Sequence, residues 1–228
     1  MKTLFSVLFT VGVMTLGCSA DTRNPEVLAL IQDVSELPAE LEAMAVGPNE
    51  DSPYAQRLRR RESLYLQLHQ RGENAVTALA TGLSDADVSI RRASALALGA
   101  LGRGYFVSGR QLAELDILSA LAALEDALLD TDDRVRHLAT NAIAVMGPEA
   151  ASAVPQLIIQ LQSGDEGDRN TAAIALRQIG RAASAALPAL EVALSDPSDD
   201  VRTFARLAID GIDSSETEQS GSQTDGGF

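Results

Sequence analysis

The sequence predicts an all-α fold, an α-solenoid of stacked antiparallel helix hairpins. Two observations carry this. With Arg91, Arg136, Arg169 and Arg202 in one column, the segments IRRASALALGALG, VRHLATNAIAVMG, DRNTAAIALRQIG and VRTFARLAIDGID align without a gap, and the last two intervals are both 33 residues. An upstream apolar set keeps the same register before every arginine, so each unit holds two helices. The 228 residues are 46% hydrophobic, 22% charged and only 4% aromatic, a balance that suits a soluble helical domain.

Residues 1–17 read as an export signal. MKTLFSVLFTVGVMTLGCSA has one basic residue, an apolar run from Leu4 to Leu16 and small residues up to Cys18, and it is too short for a comfortable membrane span. TLGC resembles a bacterial lipobox, which implies cleavage before Cys18 and lipidation of that residue. Thr15 and Leu16 hold places where lipoboxes usually have Leu and a small residue. The alternative is an A-x-A-like site in Cys18-Ser19-Ala20, with residues 1–20 removed and a soluble secreted product. Lipidation is favoured because Cys18 is the sole cysteine and serves no disulfide. Either cleavage removes Lys2, the only lysine, and takes the formal charge from −14 to −15.

Residues 18–54 form a linker with divergent helices, where the column residues fail over PEVLALIQDVSELPAELEAMAV. The array spans residues 55–213. RRRESLYLQLHQRG puts Arg61 in the arginine column of a degenerate first unit. In the four regular units the outer helix carries Val76, Leu121, Val154 and Leu187, then Leu79, Leu124, Leu157 and Leu190, then Leu83, Leu128, Leu161 and Leu194. Steps of three and four residues put these on one helical face. The arginine helix carries the unbroken column Ala97, Ala142, Ala175 and Ala208, where minimal bulk allows close helix approach. Gly102, Gly147 and Gly180 are expected to end their helices. In the turns, Asp87, Asp132, Asp165 and Ser198 are residues of N-cap type.

Arg91 to Arg136 spans 45 residues, so twelve extra residues follow Gly102, within GRGYFVSGRQLAE. Glycines around the pair Tyr105 and Phe106 fit a recognition loop, and equally a flap tucked onto the neighbouring hairpin. The end, residues 214–228, reads as a disordered acidic tail.

The formal charge of −14 argues against nucleic-acid binding and against electrostatic landing on anionic lipid. No catalytic constellation stands out and no cofactor is expected. The only histidines, His69 and His137, stand two units apart, too far to share a metal ion, so no metal site is expected either.

The register, the alanine column, Pro155 and Pro188 in the first helices and Asp85, Asp130 and Asp196 six residues before their arginines resemble the HEAT repeat, especially the short alanine-rich units of phycobilin lyases. The resemblance covers about residues 55–213. It implies that turn aspartates and helix arginines form a ladder tying successive hairpins together, which would offset the cost of a cation at a helix start. Asp85, Arg91, Asp130, Arg136, Arg169, Asp196 and Arg202 are its expected members, with Arg136 paired to Asp130. Ser163 breaks the aspartate column, so Arg169 would need Asp165, Glu166 or Asp168.

The resemblance also implies a protein-binding inner face lined by the arginine helices. Arg92, His137, Asn141, Asn170, Arg177 and Arg206 form a polar, comparatively basic stripe there, suited to an acidic partner segment or simply a solvated face. With Tyr105 and Phe106 they are the candidate partner-binding residues, and Arg92, Arg177 and Arg206 are expected to behave as surface sites. The expected function is a non-enzymatic scaffold in the cell envelope, bound to a protein partner and touching membrane only through the lipid on Cys18. The alternative is a lyase or chaperone-type factor assisting modification of another protein. Intact mass of the native protein tests the anchor: a lipidated N-terminal Cys18 is expected, and an unmodified start at Asp21 would show a soluble exported product instead.

Overall fold

A computed structural model describes residues 25–35, 53–104, 106–107, 110–111 and 113–214. Cys18, Tyr105 and the tail from residue 215 lie outside the described residues. The chain forms α1 (Pro25–Ser35), α2 (Pro53–Arg71), α3 (Glu73–Gly82), α4 (Val88–Arg103), a two-residue antiparallel pair β1 (Phe106–Val107) and β2 (Arg110–Gln111), then α5 (Leu121–Ala127), α6 (Asp133–Met146), α7 (Val154–Ser163), α8 (Glu166–Ile179), α9 (Leu187–Ala193) and α10 (Asp199–Ser214). The four arginine helices α4, α6, α8 and α10 pack successively against one another as one layer, and α3, α5, α7 and α9 back them. This is an α-solenoid.

The core follows the two columns. Leu79, Leu124, Leu157 and Leu190 are fully buried, as are Ala97, Ala142, Ala175 and Ala208. Alanine matters here because α4 and α6 approach closely: a Cβ built on Gly99 would sit 3.6 Å from the Ala142 Cα. No single hairpin could bury both sets, so stability comes from stacking.

Local sequence sets each helix boundary. Asp87, Asp132 and Asp165 cap α4, α6 and α8 by accepting from the amides of Ser89, Val135 and Asp168. Pro155 and Pro188 sit in the first turns of α7 and α9, where a missing N–H costs nothing, and both helices are entered from a 3₁₀ stretch. Gly147 and Gly180 end α6 and α8 with φ of 61° and 63°. Gly102 does not end α4. The helix continues to Arg103 and Gly104 takes the positive φ, because Gly102 is needed inside: a Cβ there would lie 2.7 Å from Ile117 and 2.9 Å from Val145.

Two regions that the columns do not cover take definite form. The amphipathic α1 buries Val27, Leu30, Ile31 and Val34 and lies against α2, α3 and α4, closing the N-terminal end. Glu26 and Asp33 hold it to Arg71 and Arg60 of α2 at 3.0 and 3.2 Å. The insertion forms the β1–β2 hairpin, a small departure from an all-helical chain, with Phe106 opposite Gln111 and Val107 opposite Arg110. It is anchored where it rejoins the array, by the His69 ring donating to the Ala113 carbonyl at 2.9 Å and by the Leu115 amide donating to the Leu101 carbonyl at 3.1 Å.

Candidate functional site

The arginine column forms a ladder, and the ladder runs between units. Arg91 places Nε and Nη2 on the two oxygens of Asp130, in the turn of the next unit, at 2.7 and 3.0 Å. Arg169 does the same to Asp196 at 2.7 and 2.9 Å. The remaining Nη1 points backward to a carbonyl of the arginine's own turn, Asp85 for Arg91 and Gly164 for Arg169. Each guanidinium therefore holds its own turn with one nitrogen and the following turn with its other edge. Such parallel charge-assisted bonds are a geometry that arginine can make and lysine cannot.

This corrects the expected partner of Arg136. Its Nη1 meets Asp130 only through the main-chain carbonyl, at 3.1 Å. Its Nε and Nη2 go forward to Asp168, at 2.8–3.1 Å, and Nη2 also reaches Asp165 at 3.0 Å. The gap left by Ser163 is thus felt by Arg136, one unit earlier, while Arg169 keeps its full aspartate. Asp168, only 5% exposed at its side chain, is the replacement.

A second, weaker ladder accounts for part of the polar stripe. Arg92 donates to both oxygens of Asp132, the N-cap of the next arginine helix, with Nε at 2.8 Å. One unit on, His137 Nε2 lies 3.5 Å from the N-cap Asp165 and 3.3 Å from Asp168. Gly167 makes room for that ring, since a Cβ there would lie 2.4 Å from His137 Cε1. Arg92 therefore binds the next turn, and the His137 ring lies against it without a hydrogen bond at Nε2, so neither is a free surface residue. Asn170, next in that column, has its Oδ1 buried without a hydrogen-bond partner among the described residues.

His137, Asp165 and Asp168 bring three ligand-type atoms within 4.8 Å of one another, a convergence that the sequence does not reveal. Arg136 decides its chemistry. The guanidinium already donates to both Asp168 oxygens and to Asp165 Oδ2, while Asp165 Oδ1 accepts the Asp168 amide. A metal ion would have to displace a fixed cation 3 Å away, so the cluster is read as the joint between α6 and α8.

The open positions of the arginine-helix layer form two adjoining hollows of about 370 and 340 Å³. The first lies among α2, α4 and α6, with Arg61, Tyr65, Leu96 and Gly99 in its walls. The second lies between the end of α4, α6 and α8, with Glu114, Ile174 and Gln178 in its walls. Arg103 and Asn141 line both. They exist because Gly99, Ala100 and Gly102 give α4 almost no side-chain volume on this side, and the β1–β2 hairpin leaves the helix just beyond, after Gly104. Arg177 and Arg206 are exposed on α8 and α10. Of the stripe, only Asn141 lines the hollows. Arg103 is the residue that sequence reading misses, and its only signal is its place at the last turn of α4 beside the insertion. Phe106 stands in β1, and its side chain is outside the described residues.

Residues 121–210 match the family model for HEAT repeats. Over 81–86% of its length the chain resembles solved helical repeat structures. It is 20% identical to the complex of CpcE and CpcF of phycocyanin lyase from Nostoc sp., with a TM-score of 0.57 over 81% of this chain and 98% of that one. It is equally 20% identical to a designed armadillo repeat protein in complex with the peptide (KR)4, with a TM-score of 0.55 over 85% of this chain and 88% of that one. An engineered protein matches with a TM-score of 0.54 at 20% identity, covering 86% and 93% of the two chains. No curated protein matches the sequence.

Two predictions follow for the ladder. Arg136→Ala leaves Asp168 buried without its cation and should cost about 2–4 kcal/mol in a denaturant or thermal melt, whereas Arg92→Ala, at a half-exposed pair, should cost about 0.5–1 kcal/mol. Removing Arg136 and Asp168 together should cost less than the sum of the single changes.

The ladder also sets an acid limit. The arginine bonds hold Asp196 and Asp132 below the usual carboxylate pKa, and the Asp168 amide does so for Asp165. For Asp130, burial is the largest influence and pushes the pKa up, but the Arg91 bonds and charge and the Asp132 amide together outweigh it and lower it. A carboxylate whose pKa is lowered by folding adds stability above its ordinary value of 3.8 and loses it as acid protonates the folded form. The melting temperature should hold steady down to about pH 5 and fall below about pH 4, and Asp130→Asn should flatten that fall while lowering the plateau.

Proposed function

We propose that this chain is a protein-interaction module that holds a peptide segment of its partner along the arginine-helix layer, in the paired hollows that share Arg103 and Asn141. Three things support it. The first hollow is lined mainly by apolar groups such as Leu96 and Leu138, and the second adds polar ones from Asn141 and Gln178 beside Ile174, a combination suited to a peptide segment. Arg103 stands in the walls of both hollows, beside Glu114 in the second, in a protein whose formal charge is −14, and its cation favours a segment carrying a carboxylate. The fold is one in which a designed armadillo relative carries a peptide and CpcE is joined to CpcF.

The reading extends to place. An export signal and a lipidated Cys18 would set this module at the surface of an envelope membrane. A modification factor of the lyase type is the second reading, favoured by the likeness to CpcE and CpcF, and it would use the same groove to present a protein substrate.

The test is capture from envelope extracts by the full chain and by an Arg103→Glu, Asn141→Leu variant. The partner should be lost, by tenfold or more in bound amount, while the melting temperature stays within about 2 °C of the parent. A partner retained by the variant would place the binding surface elsewhere.

A further inference from the structure

Among the described residues the ladder is unfinished at one end. Arg202 keeps the backward half of the pattern, with Nη1 on the carbonyls of Asp196 at 2.6 Å and Pro197 at 3.1 Å. In the three preceding units, Nε and Nη2 bind the carboxylate of the following turn. At Arg202 no following turn exists among the described residues. Nε makes no bond there, and Nη2 meets only Asp199, a residue of the same helix whose side chain is 89% exposed. The apolar column tells the same story. Leu83, Leu128 and Leu161 are 4%, 1% and 2% exposed, while their counterpart Leu194 is 37% exposed. At the opposite end α1 buries four apolar residues against the array.

We propose that the face formed by α9 and α10 is a docking surface for one further helix hairpin, contributed by a partner protein and bearing an aspartate or glutamate in its connecting turn. That carboxylate would take the Nε/Nη2 edge of Arg202, and the apolar face of the hairpin would cover Leu194. This surface is distinct from the groove on the arginine-helix layer. Other occupants fit less well. Two copies meeting through this face would bring their Arg202 guanidinium groups together, and a copy docking by its opposite end would present α1. Residues 215–228 carry Glu216, Glu218 and Asp225, but Phe228 is their only large apolar residue, too little to replace a hairpin face.

The test supplies the missing hairpin in a defined form, as this chain's own last unit. A fluorescent peptide of residues 181–213, whose turn carries Asp196, is titrated with the full protein, and in parallel the same 33 residues are repeated after Asp213 in one chain. The peptide should bind at least tenfold more weakly to Arg202→Ala, and Asp196→Asn in the peptide should weaken it equally. In the extended chain Arg202→Ala should lower the melting temperature by several degrees, as Arg169→Ala should in the parent, while leaving the parent nearly unchanged. The extended chain keeps the test decisive if the free peptide does not fold. Indifference to Arg202 in both formats overturns the proposal. So does sedimentation showing a dimer of the full chain that Arg202→Ala dissociates, which would make a second copy the occupant. Peptide binding that appears only after truncation at Ser214 overturns it too, in favour of the tail.

Discussion

The structure depends on a cation placed where helix electrostatics disfavours one. An arginine in the first turn of α4, α6, α8 or α10 faces the partial positive charge of that helix start, and it persists because its own turn offers carbonyls and the next turn offers a carboxylate. Asp130 and Asp196 are in turn fixed by accepting the amide two residues on, from Asp132 and Ser198. The turn, the cap and the joint are one hydrogen-bonded assembly. The apolar columns supply most of the driving force for stacking, but apolar surfaces slide. The bidentate fork sets the register in which they meet.

How units tolerate departures from the pattern follows from this division of labour. Ser163 removes a column aspartate, and the joint survives because Asp168 and Asp165 stand within reach on the following helix. Gln160 stands where the neighbouring units have Ala127 and Ala193, and it remains buried because its amide donates to the Leu128 carbonyl and its oxygen meets the Thr140 hydroxyl. Each exception is repaired by a polar contact that spans the same joint.

The repeat architecture is legible in the sequence because it is periodic, and Ala97, Ala142, Ala175 and Ala208 need only be aligned to be found. What alignment within a unit cannot show is which neighbour a long side chain reaches. Arg136 and Asp130 share a unit on paper, yet the guanidinium extends forward to Asp168. The same blindness makes Arg92 and His137 look like surface residues when they face the next N-cap. The hollows are harder still, since they are defined by missing volume at Gly99, Ala100 and Gly102 and by an insertion outside the period. Arg103 acquires its position from both.

The direction of the ladder has a consequence for the order in which the protein is made. A chain synthesised from its N-terminus forms each arginine before the carboxylate that will clamp it, because the partner always belongs to the following hairpin. The backward bond to its own turn orients the guanidinium while it waits. Each new hairpin then arrives at an edge already shaped to receive it, and long-range searching is reduced to one neighbour at a time. An array wired the opposite way would expose bare aspartates during synthesis. This one exposes oriented arginines.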